Sequence, residues 1–574
     1  MLGRAGDPAV RSLLEGHGYA VHFVSGDDPM QVHRALATAL DTCAEAIAAI
    51  QRAARTTTVQ GVPRWPLIVL RTPKGWTGPR TVNGLAVEGT FRSHQVPLTA
   101  VRTDPVQLAA LDEWLRSYRP AQLFDTDGRL LPALAALAPA PERCMGQNPW
   151  SNGGRGVPAL RVPEIAPYAV AVPQHGHVSH ESTRPLGAML RDTYVQNPTT
   201  FRLFCPDETN SNRLGSVFDV ETRCVQDAPV AGDDHVSAAG RVMEVLSEHT
   251  LQGWLEGYLL TGRHGVFATY EAFALIVASM ATQHAKWLDM CAAIPWRSSV
   301  PSLNYLLTST CWRNDHNGFS HQGPGFMDTV LSKKGTVVRV YLPPDANCLL
   351  AVADHCLRSV NAINLIIIDK QPQLQWLGLD AARAHCAGGA SIWPWACQHP
   401  AEAPDVVLAC AGDTATLETL AAAAWLRRHA PELCVRVVNV VDLMTLFSPR
   451  EHPHGMTDAA FTDLFTFDCH VVFSFHGYAG AVHQLLHSRP EPERFHVRGY
   501  KEEGTTTTPF DMVVLNETSR FHIAMDALRR SRRPPAAAAT LTAACRAELD
   551  RHQAHILAHL DDLPEIAGWK WPDA

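Results

Sequence analysis

Two histidines on one glycine-rich segment are the first residues whose spacing could do chemistry. His316 and His321 lie in TCWRNDHNGFSHQGPG, residues 310–325, among an arginine, an aspartate, two asparagines and three glycines. An imidazole with a pKa of about 6.5 accepts and donates protons near neutral pH, which suits a reaction with several proton transfers. Two structural, hydrogen-bonded histidines are the alternative. A metal site is a third possibility, although no Cys or Glu at ligand spacing accompanies the pair.

Cationic and polar residues follow apolar runs elsewhere in the chain. These residues are Lys74, His94, Asp207, Ser211, Arg213 and Lys370. Lys370 comes directly after AINLIIID, and Lys74 comes shortly after WPLIVL. A single lysine at a strand end is commonly only a solvated residue. Several such clusters predict a site for an anionic, phosphorylated ligand, because α/β proteins bind ligands at the carboxyl ends of their strands.

Helical periodicity and short apolar runs alternate along the chain, and they must position these residues. MQVHRALATALDTCAEAIAAIQRAAR, VQLAALDEWLRSY, VMEVLSEHTLQGWLEGYLLTG and YEAFALIVASMATQHAKWLDMC have helical spacing. Glu248 opens or precedes the third of these helices, where the helix dipole favours a carboxylate. WPLIVLRTP predicts a buried parallel strand, and TVVRVYL and AINLIIID predict two more. DVVLACAG, LCVRVVNVVDL and HVVFSF, with the helix ATLETLAAAAWLRRHA, have the βαβ rhythm of a parallel sheet covered by helices.

Composition limits the class of protein. The 574 residues favour three or four domains, and the Pro-, Gly-, Ala- and Asn-rich residues 131–166 predict a linker. The net charge of −8 gives no general attraction to nucleic acid or to anionic membranes. The 14 cysteines form no CxxC pair, which is typical of reduced, intracellular chains. The longest apolar runs fall short of the ~20 residues that span a bilayer, so we expect a soluble, cytoplasmic protein.

Several motifs together resemble the thiamine diphosphate-dependent phosphoketolases. They are RTPKGWTGP, FRSHQVPL, PDETNSNRL, LSEHT with the following GWLEGYLLTGRHG and TYE, WRNDHNGFSHQGPG, VYLPPDAN, KQP and GYKEEGTTTTPFDM. The resemblance covers essentially the whole chain in one order. It implies a transketolase-like, thiamine diphosphate-binding α/β fold with parallel sheets flanked by helices in three consecutive domains. Residues 1–150 would be the C-terminal part of the diphosphate-binding domain plus a linker, 151–397 the pyrimidine-binding domain, and 398–574 the transketolase-type C-terminal domain.

The resemblance also implies an activity, that of an aldehyde-lyase of carbohydrate metabolism. With thiamine diphosphate and Mg²⁺, the enzyme would split xylulose 5-phosphate or fructose 6-phosphate between C2 and C3. Inorganic phosphate would capture the two-carbon unit as acetyl phosphate, and glyceraldehyde 3-phosphate or erythrose 4-phosphate would leave. The preference between the two sugars stays open. A homodimer or higher homo-oligomer is implied, because the active sites of the family lie between subunits.

Roles for individual residues follow from the resemblance by motif. Glu248 resembles the glutamate that hydrogen-bonds the aminopyrimidine of the cofactor, Phe273 would stack on that ring, and Asp207 would lie near the thiamine. The proton-handling histidines would be His94, His316 and His321. The residues expected to orient the sugar phosphate or the incoming phosphate are Lys74, Ser211, Arg213, Tyr270, Asn317 and Lys370, and Lys74 is assigned to the cofactor as well.

Two departures from the family pattern matter. Asn314 stands where the family has Gln, and its amide is one methylene shorter. The Gly-Asp-Gly motif and downstream Asn that would hold the diphosphate and Mg²⁺ are not found. SGDDP at residues 25–29 and AGDDH at residues 231–235 lack the second Gly and the Asn, so no metal ligand is assigned.

We therefore expect the chain to start inside the first domain, with the metal and diphosphate ligands in a missing N-terminal segment. Three alternatives follow: a truncated phosphoketolase, an enzyme completed by a separate N-terminal polypeptide, and a non-catalytic remnant that cannot bind the diphosphate by itself.

Overall fold

A computed structural model describes residues 2–56, 61–206, 208–314, 316–504 and 506–572. The chain divides into two compact units, Met1–Ala140 with Gln226–Val230, and Pro141–Val225 with Ala231–Ala574. Among the described residues, no helix combines the length and the apolar character needed to cross a membrane.

The first unit contains a parallel βαβ arrangement. Its elements are α1 (Asp7–Gly16), β1 (Ala20–Ser25), α2 (Pro29–Thr56), β2 (Pro66–Arg71), β3 (Thr81–Val82), β4 (Leu85–Ala86), α3 (Pro105–Ser117) and α4 (Pro132–Ala135). Strand β1 pairs with β2 in parallel, as predicted for WPLIVLRTP. The prediction that this strand is buried is wrong, since no residue of β2 is buried and Leu70 is 50% exposed. The pair forms a two-stranded sheet, so part of the surface of β2 stays in contact with solvent.

The acidic pair of SGDDP serves a structural purpose in this unit. The Oδ1 of Asp28 accepts a hydrogen bond of 2.8 Å from the backbone N–H of Gln31, at the start of α2. A carboxylate at this position satisfies an N–H that has no partner within the helix.

An eight-stranded, all-parallel sheet forms the centre of the second unit, and we call it the central sheet. Its strands run in the order β12-β13-β11-β10-β6-β9-β7-β8. The elements of this part are β5 (Ser179–Glu181), α5 (Thr183–Gln196), β6 (Phe201–Phe204), β7 (Arg223–Cys224), β8 (Val236–Ser237), β9 (Val242–Met243), α6 (Glu248–Leu260), β10 (His264–Thr269), α7 (Ala278–Ala292), β11 (Leu303–Leu307), α8 (Phe326–Leu331), β12 (Val338–Tyr341), α9 (Ala346–Arg358), β13 (Ile363–Ile367), β14 (Pro372–Leu374) and α10 (Leu379–Gly388).

A five-stranded sheet, the C-terminal sheet, follows in the order β15-β17-β16-β18-β19, with β15 antiparallel and the other strands parallel. Its elements are β15 (Ala390–Ile392), β16 (Val406–Ala411), α11 (Asp413–His429), β17 (Val435–Val440), α12 (Asp458–Phe465), β18 (Val471–Tyr478), α13 (Ala479–Leu486), β19 (Phe495–Tyr500), α14 (Pro509–Leu515), α15 (Arg520–Arg530), α16 (Ala538–His559) and α17 (Pro564–Ala567). The predicted strands and helix of this region are confirmed. One buried cluster joins the two sheets, with Leu307, Ala411 and Phe475 among its members.

The expected linker at residues 131–166 is only partly extended. Asn152 is fully buried, and its Nδ2 donates to the carbonyls of Gly146 and Trp296 at 2.8 and 3.0 Å. A Cβ on Gly154 would lie 2.1 Å from the carbonyl oxygen of Thr261, so only glycine permits this close approach. The glycines and asparagines that suggested a flexible segment therefore pack residues 146–154 within the second unit.

Buried histidines should make the stability of the fold depend on pH. Burial lowers the pKa of His284, His385 and His452 from 6.5 to about 4. Such a group contributes stability that is present above the unfolded pKa and is lost as the pH falls from 6.5 towards 4. We expect the free energy of unfolding to drop between pH 6.5 and 4.5 by roughly 1 kcal/mol per pH unit for each of these histidines.

Urea unfolding at half-unit pH steps measures this dependence. The ring of His385 lies between Ser391 Oγ at 2.7 Å and Asn439 Oδ1 at 2.8 Å. The H385Q variant should reduce the protons taken up on unfolding at about pH 5.5 by about one, whatever its absolute stability. An unchanged pH slope in H385Q would contradict the assignment.

Candidate functional site

Three neighbouring strands of the central sheet place the candidate residues at one edge. Tyr270 follows β10, Thr308 follows β11, and Lys370 comes shortly after β13, and β11 pairs with both β10 and β13. The backbone N–H of Lys370 donates to the carbonyl of Thr308 at 2.8 Å, and that of Glu271 donates to the carbonyl of Ser309 at 3.1 Å. The carboxyl ends of parallel strands are where α/β proteins bind their ligands.

Lys370, Ser211 and Tyr270 form a compact set that we call the lysine triangle. The Nζ of Lys370 donates to Ser211 Oγ at 2.6 Å and to Tyr270 Oη at 2.8 Å, and the two hydroxyls are 2.6 Å apart. The same Nζ lies 4.0 Å from the centroid of the Tyr270 ring. The structure therefore brings together three residues that the sequence places 59 and 100 positions apart.

The lysine triangle holds a buried ammonium without an anionic partner among the described residues. Lys370 is only 7% exposed, and it forms no ion pair with a described carboxylate. The adjacent Asp369 is committed elsewhere: its Oδ2 accepts from the backbone N–H of Thr310, and its Oδ1 from that of Gln371. A buried charge is costly unless it is paired, so this geometry suits the binding of an anion. Asp207, predicted to lie near the thiamine, lies outside the described residues.

Arg213 adjoins the lysine triangle but is already paired. Its Nε donates to Glu181 Oε1 at 2.6 Å, and its Nη1 donates to the carbonyl of Ser211 at 3.2 Å. Partial burial opposes ionisation of Glu181, but hydrogen bonds from Arg184 and Arg213 outweigh it and lower the pKa of that carboxyl. Arg213 also has a left-handed φ of 62°, an uncommon conformation for a non-glycine residue. A direct contact between Arg213 and a phosphate stays a prediction.

Aromatic rings form a platform beside the triangle. Tyr270 and Phe273 are stacked with centroids 5.8 Å apart, and His321 meets the Phe273 ring edge-on at 5.1 Å. Phe273 belongs to the 3₁₀ turn Ala272–Val277 and is half-buried. A partly accessible ring face of this kind suits a flat heterocycle.

The glycine-rich loop places its two histidines differently. His321 is half-buried at the platform, whereas His316 is exposed and has no hydrogen-bond partner among the described residues. Asn314 ties the loop together, because its Nδ2 donates to the carbonyl of His321 at 3.1 Å and its Oδ1 accepts from Asn317 Nδ2 at 3.3 Å. The amide that replaces the family's Gln thus makes contacts within the loop.

Glu248 is the first residue of α6, as the sequence predicted, and is half-buried. The cap of this helix is Ser247, whose Oγ accepts from the backbone N–H of Thr250 at 3.4 Å. One turn later, Leu251 packs in the same buried cluster as Ala274, the neighbour of Phe273. The carboxylate and the platform therefore stand on two elements that pack against each other.

Lys74 and His94 belong to the first unit, and both are exposed. Lys74 lies in the turn after β2, where the sequence predicted it. A Cβ on Gly75 would lie 2.3 Å from Cβ of Ser93, so the turn with Lys74 packs closely against the residue before His94. The roles of Lys74 and His94 stay predictions.

Sequence reasoning missed a buried group behind the lysine triangle. Glu271, Cys311 and His476 offer a carboxylate oxygen, a sulfur and a ring nitrogen that all lie within 4.8 Å of one another. Burial disfavours the charged form of His476, but Glu271 outweighs it and raises the pKa of the ring. The motif TYE includes Glu271, which could have been noticed beside Tyr270. His476 lies 205 residues further on, and no local pattern marks it.

Comparisons with known proteins match nearly the whole chain. Three models of one family match: the XFP N-terminal domain at residues 1–156, "D-xylulose 5-phosphate/D-fructose 6-phosphate phosphoketolase" at residues 184–359, and the XFP C-terminal domain at residues 370–571. A probable phosphoketolase of Nitrosomonas europaea is 53% identical over 573 residues, which are 100% of this chain and 72% of the relative. A probable phosphoketolase of Rhodopseudomonas palustris is 54% identical over 578 residues, 100% of this chain and 73% of the relative. The chain belongs to the phosphoketolase family.

The predicted family and the enzyme class are thereby confirmed, and the alternative of a non-catalytic remnant is not favoured. The N-terminal family model matches residues 1–156, and the chain spans 72% and 73% of the length of these two relatives. The segment predicted to precede residue 1, and the separate polypeptide that would replace it, stay predictions.

Solved structures confirm the predicted fold. A transketolase from Pichia stipitis has a TM-score of 0.56 at 17% identity. The match covers 92% of this chain and 68% of the transketolase chain. Transketolase from Campylobacter jejuni gives 0.54 at 13% identity, with 92% and 70% covered.

The exposure of His316 generates a prediction. Because the ring of His316 is exposed and makes no hydrogen bond to the described residues, H316A should change the melting temperature by no more than about 1 °C, as for most surface substitutions. If His316 handles protons, the same variant should lower kcat at least about 100-fold. Thermal unfolding and steady-state acetyl phosphate formation measure the two effects. A large loss of melting temperature with normal turnover would show that the histidine is only structural.

Proposed function

We propose that this protein cleaves xylulose 5-phosphate, fructose 6-phosphate or both with inorganic phosphate, forming acetyl phosphate and a shorter aldose phosphate. The observation that carries this proposal is the lysine triangle, a buried ammonium that has no described carboxylate partner and lies at the strand ends of the central sheet. Both substrates of the reaction bring phosphate groups. The printed name of the family model that matches residues 184–359 supports the same pair of sugars.

The lysine triangle suits a phosphate or a sugar hydroxyl next to one. The ammonium of Lys370 supplies the charge, and the hydroxyls of Ser211 and Tyr270 can each donate or accept. An entering phosphate oxygen would gain charge-assisted hydrogen bonds from Nζ, which are shorter and stronger than neutral ones. Arg213 donates a hydrogen bond to the backbone carbonyl of Ser211, and its guanidinium would add a second positive charge at the edge of the lysine triangle.

The pyrimidine end of thiamine diphosphate fits the described residues. Phe273 offers a half-buried ring face, and Glu248 offers a carboxylate at the start of a helix that packs on the same element. When bound, the cofactor would supply the nucleophilic carbon that accepts the two-carbon unit. Glu248 would hydrogen-bond the aminopyrimidine, and Phe273 would hold the ring flat. Lys74 in the first unit and Asp207 are proposed as further cofactor contacts.

For the diphosphate end of the cofactor, the described residues offer no comparable set of contacts. Mg²⁺ prefers oxygen ligands in octahedral geometry. The one group of possible metal ligands among the described residues is Glu271, Cys311 and His476, which combines a sulfur and a nitrogen with one carboxylate. Magnesium binding by this chain is therefore proposed from the family resemblance alone, without named ligands.

Proton transfers fall to the histidines of the loop. His321 lies at the edge of the Phe273 ring, with its Nδ1 2.8 Å from Ser320 Oγ, and would exchange protons close to the platform. His316 is exposed and would carry protons between the site and solvent. Asn317 would orient the sugar, and His94 is proposed as a third proton-handling residue.

The domain roles and the setting of the protein are proposed on the same basis. Residues 1–150 would contribute to diphosphate binding, 151–397 to pyrimidine binding, and 398–574 would form the C-terminal domain. A homodimer or higher homo-oligomer in the cytoplasm is proposed. It is supported by exposed apolar side chains near the platform, where Trp254, Leu275 and Ile276 are 47%, 46% and 40% exposed.

Replacement of Lys370 tests the proposed function. K370M keeps the length of the side chain and removes its charge, so we expect kcat/KM for xylulose 5-phosphate to fall at least about 100-fold, as when a buried charge partner of a ligand is lost. The assay follows acetyl phosphate with thiamine diphosphate, Mg²⁺ and phosphate. K334M is the matched control, because Lys334 is 59% exposed and its ion pair among the described residues is with Asp289.

If K370M kept the kinetics of the wild-type enzyme, Lys370 would not be part of the site. No acetyl phosphate from either sugar would contradict the proposed reaction itself.

A further inference from the structure

Three consecutive residues at the start of the glycine-rich loop contact three separate parts of the second unit. The backbone N–H of Thr310 donates to Asp369 Oδ2 at 2.9 Å, and that of Cys311 donates to Glu271 Oε2 at 2.9 Å. The indole Nε1 of Trp312 donates to the carbonyl of His476 at 2.8 Å. We call these contacts the loop anchor.

The loop anchor lies directly behind the lysine triangle. Asp369 precedes Lys370, and Glu271 follows Tyr270. The two carboxylates that accept from Thr310 and Cys311 therefore belong to residues one peptide unit away from members of the triangle. The three anchor residues are buried, with Cys311 fully inaccessible to solvent.

The C-terminal sheet supplies the other half of these contacts. His476, on β18, has its Nε2 2.6 Å from Glu271 Oε1, with 2% and 1% of the two side chains exposed. Asp413, the first residue of α11, accepts the backbone N–H of Asp369 at 2.7 Å. A Cβ on Gly412 would lie 2.7 Å from Cβ of His476, so glycine with its φ of 109° lets these two contacts lie side by side.

A shared proton explains the distance between Glu271 and His476 better than a metal does. Two ligands bound at about 2.1 Å in a tetrahedral site are roughly 3.4 Å apart. The observed 2.6 Å is the separation of a charge-assisted hydrogen bond, with Nε2 as the donor and the carboxylate as the acceptor. Glu271 then bridges His476 on one oxygen and Cys311 N–H on the other.

We propose that His476 is a positioning residue of the candidate active site, acting through Glu271. The Nε2 donor fixes the Glu271 carboxylate, which holds Cys311 and, through its own backbone, Tyr270. Lys370 is held in the same way by Asp413 through Asp369. The C-terminal sheet thus sets the geometry of the lysine triangle and the loop anchor, which lie on the central sheet and its loops. This role rests on the proposed function, because it specifies what the positioned residues do.

Two substitutions at His476 distinguish a role as hydrogen-bond donor from a role in packing alone. In H476Q the amide nitrogen reaches about as far as Nε2 and keeps the donor, whereas in H476N it is too short to reach Glu271. H552Q is the matched control: His552 is equally buried in α16, and its Nε2 lies 3.6 Å from the carboxylate of Asp511.

The first readout is independent of turnover. Hydrogen exchange of the peptides that contain residues 268–274 and 308–314 reports the anchor, since the Cys311 amide has Glu271 as its acceptor. We expect H476N to exchange this amide at least about 10-fold faster than wild type, the size of a lost charge-assisted hydrogen bond. H476Q should stay within about twofold of wild type, and H552Q should leave both peptides unchanged.

The second readout follows the lysine triangle. Inorganic phosphate should slow the modification of Lys370 by an amine-reactive reagent, measured by mass spectrometry, and H476N should raise the half-protecting phosphate concentration about 10-fold. In turnover, H476N should lower kcat more than it raises KM for the sugar phosphate, with rescue in H476Q.

Equal exchange in wild type and H476N, equal defects in H476Q and H476N, or the same defects in H552Q would each overturn the positioning role. Absence of turnover in wild type would count against the proposed reaction, while exchange and lysine protection still decide the role of His476.

Discussion

The parallel alignment of β10, β11 and β13 is the constraint on which the site depends. Parallel strands bring their carboxyl ends to one edge, so the residues after each strand meet without any long connection between them. Tyr270 and Lys370 come from the outer two of these strands, and Thr308 between them receives the N–H of Lys370. Strands β10 and β13 are two strand spacings of about 4.8 Å apart, and the long side chains of Tyr270 and Lys370 span that distance to meet at 2.8 Å. The lysine triangle is therefore a product of sheet register as much as of residue type.

Much of the architecture could be predicted from the sequence, because inner strands of both sheets, such as β11, β13 and β16, are buried on two faces. Such strands read as continuous apolar runs, as AINLIIID and DVVLACAG do, and the helices between them keep a clear period. Burial of WPLIVLRTP could not be predicted from the run itself, because burial depends on neighbouring strands. The linker prediction was only partly right for a related reason: Gly154 and Asn152 serve close packing, and composition does not distinguish packing from flexibility.

The residues of the candidate site also divide into those that the sequence could identify and those that it could not. Lys370, Ser211 and Tyr270 could be found because long family motifs surround them, and the structure brings them into direct contact. Glu271, Asp413 and His476 could not be assigned, since a buried hydrogen bond between residues 205 positions apart leaves no periodic or spacing signal in the chain. Arg213 was expected to orient a sugar phosphate or the incoming phosphate, and only the structure shows its pairing with Glu181. The role of Asn314 within the loop likewise depends on where the chain turns back to His321.

Different parts of the glycine-rich loop move on different timescales. Its first three residues are anchored by buried hydrogen bonds, so they separate from the protein only when a larger part of the second unit opens. Four residues beyond Trp312, the exposed ring of His316 can change rotamer within picoseconds to nanoseconds. A typical enzymatic turnover takes a millisecond or more. During one turnover the ring can therefore sample every orientation that its backbone allows, while the anchored residues 310–312 keep their positions.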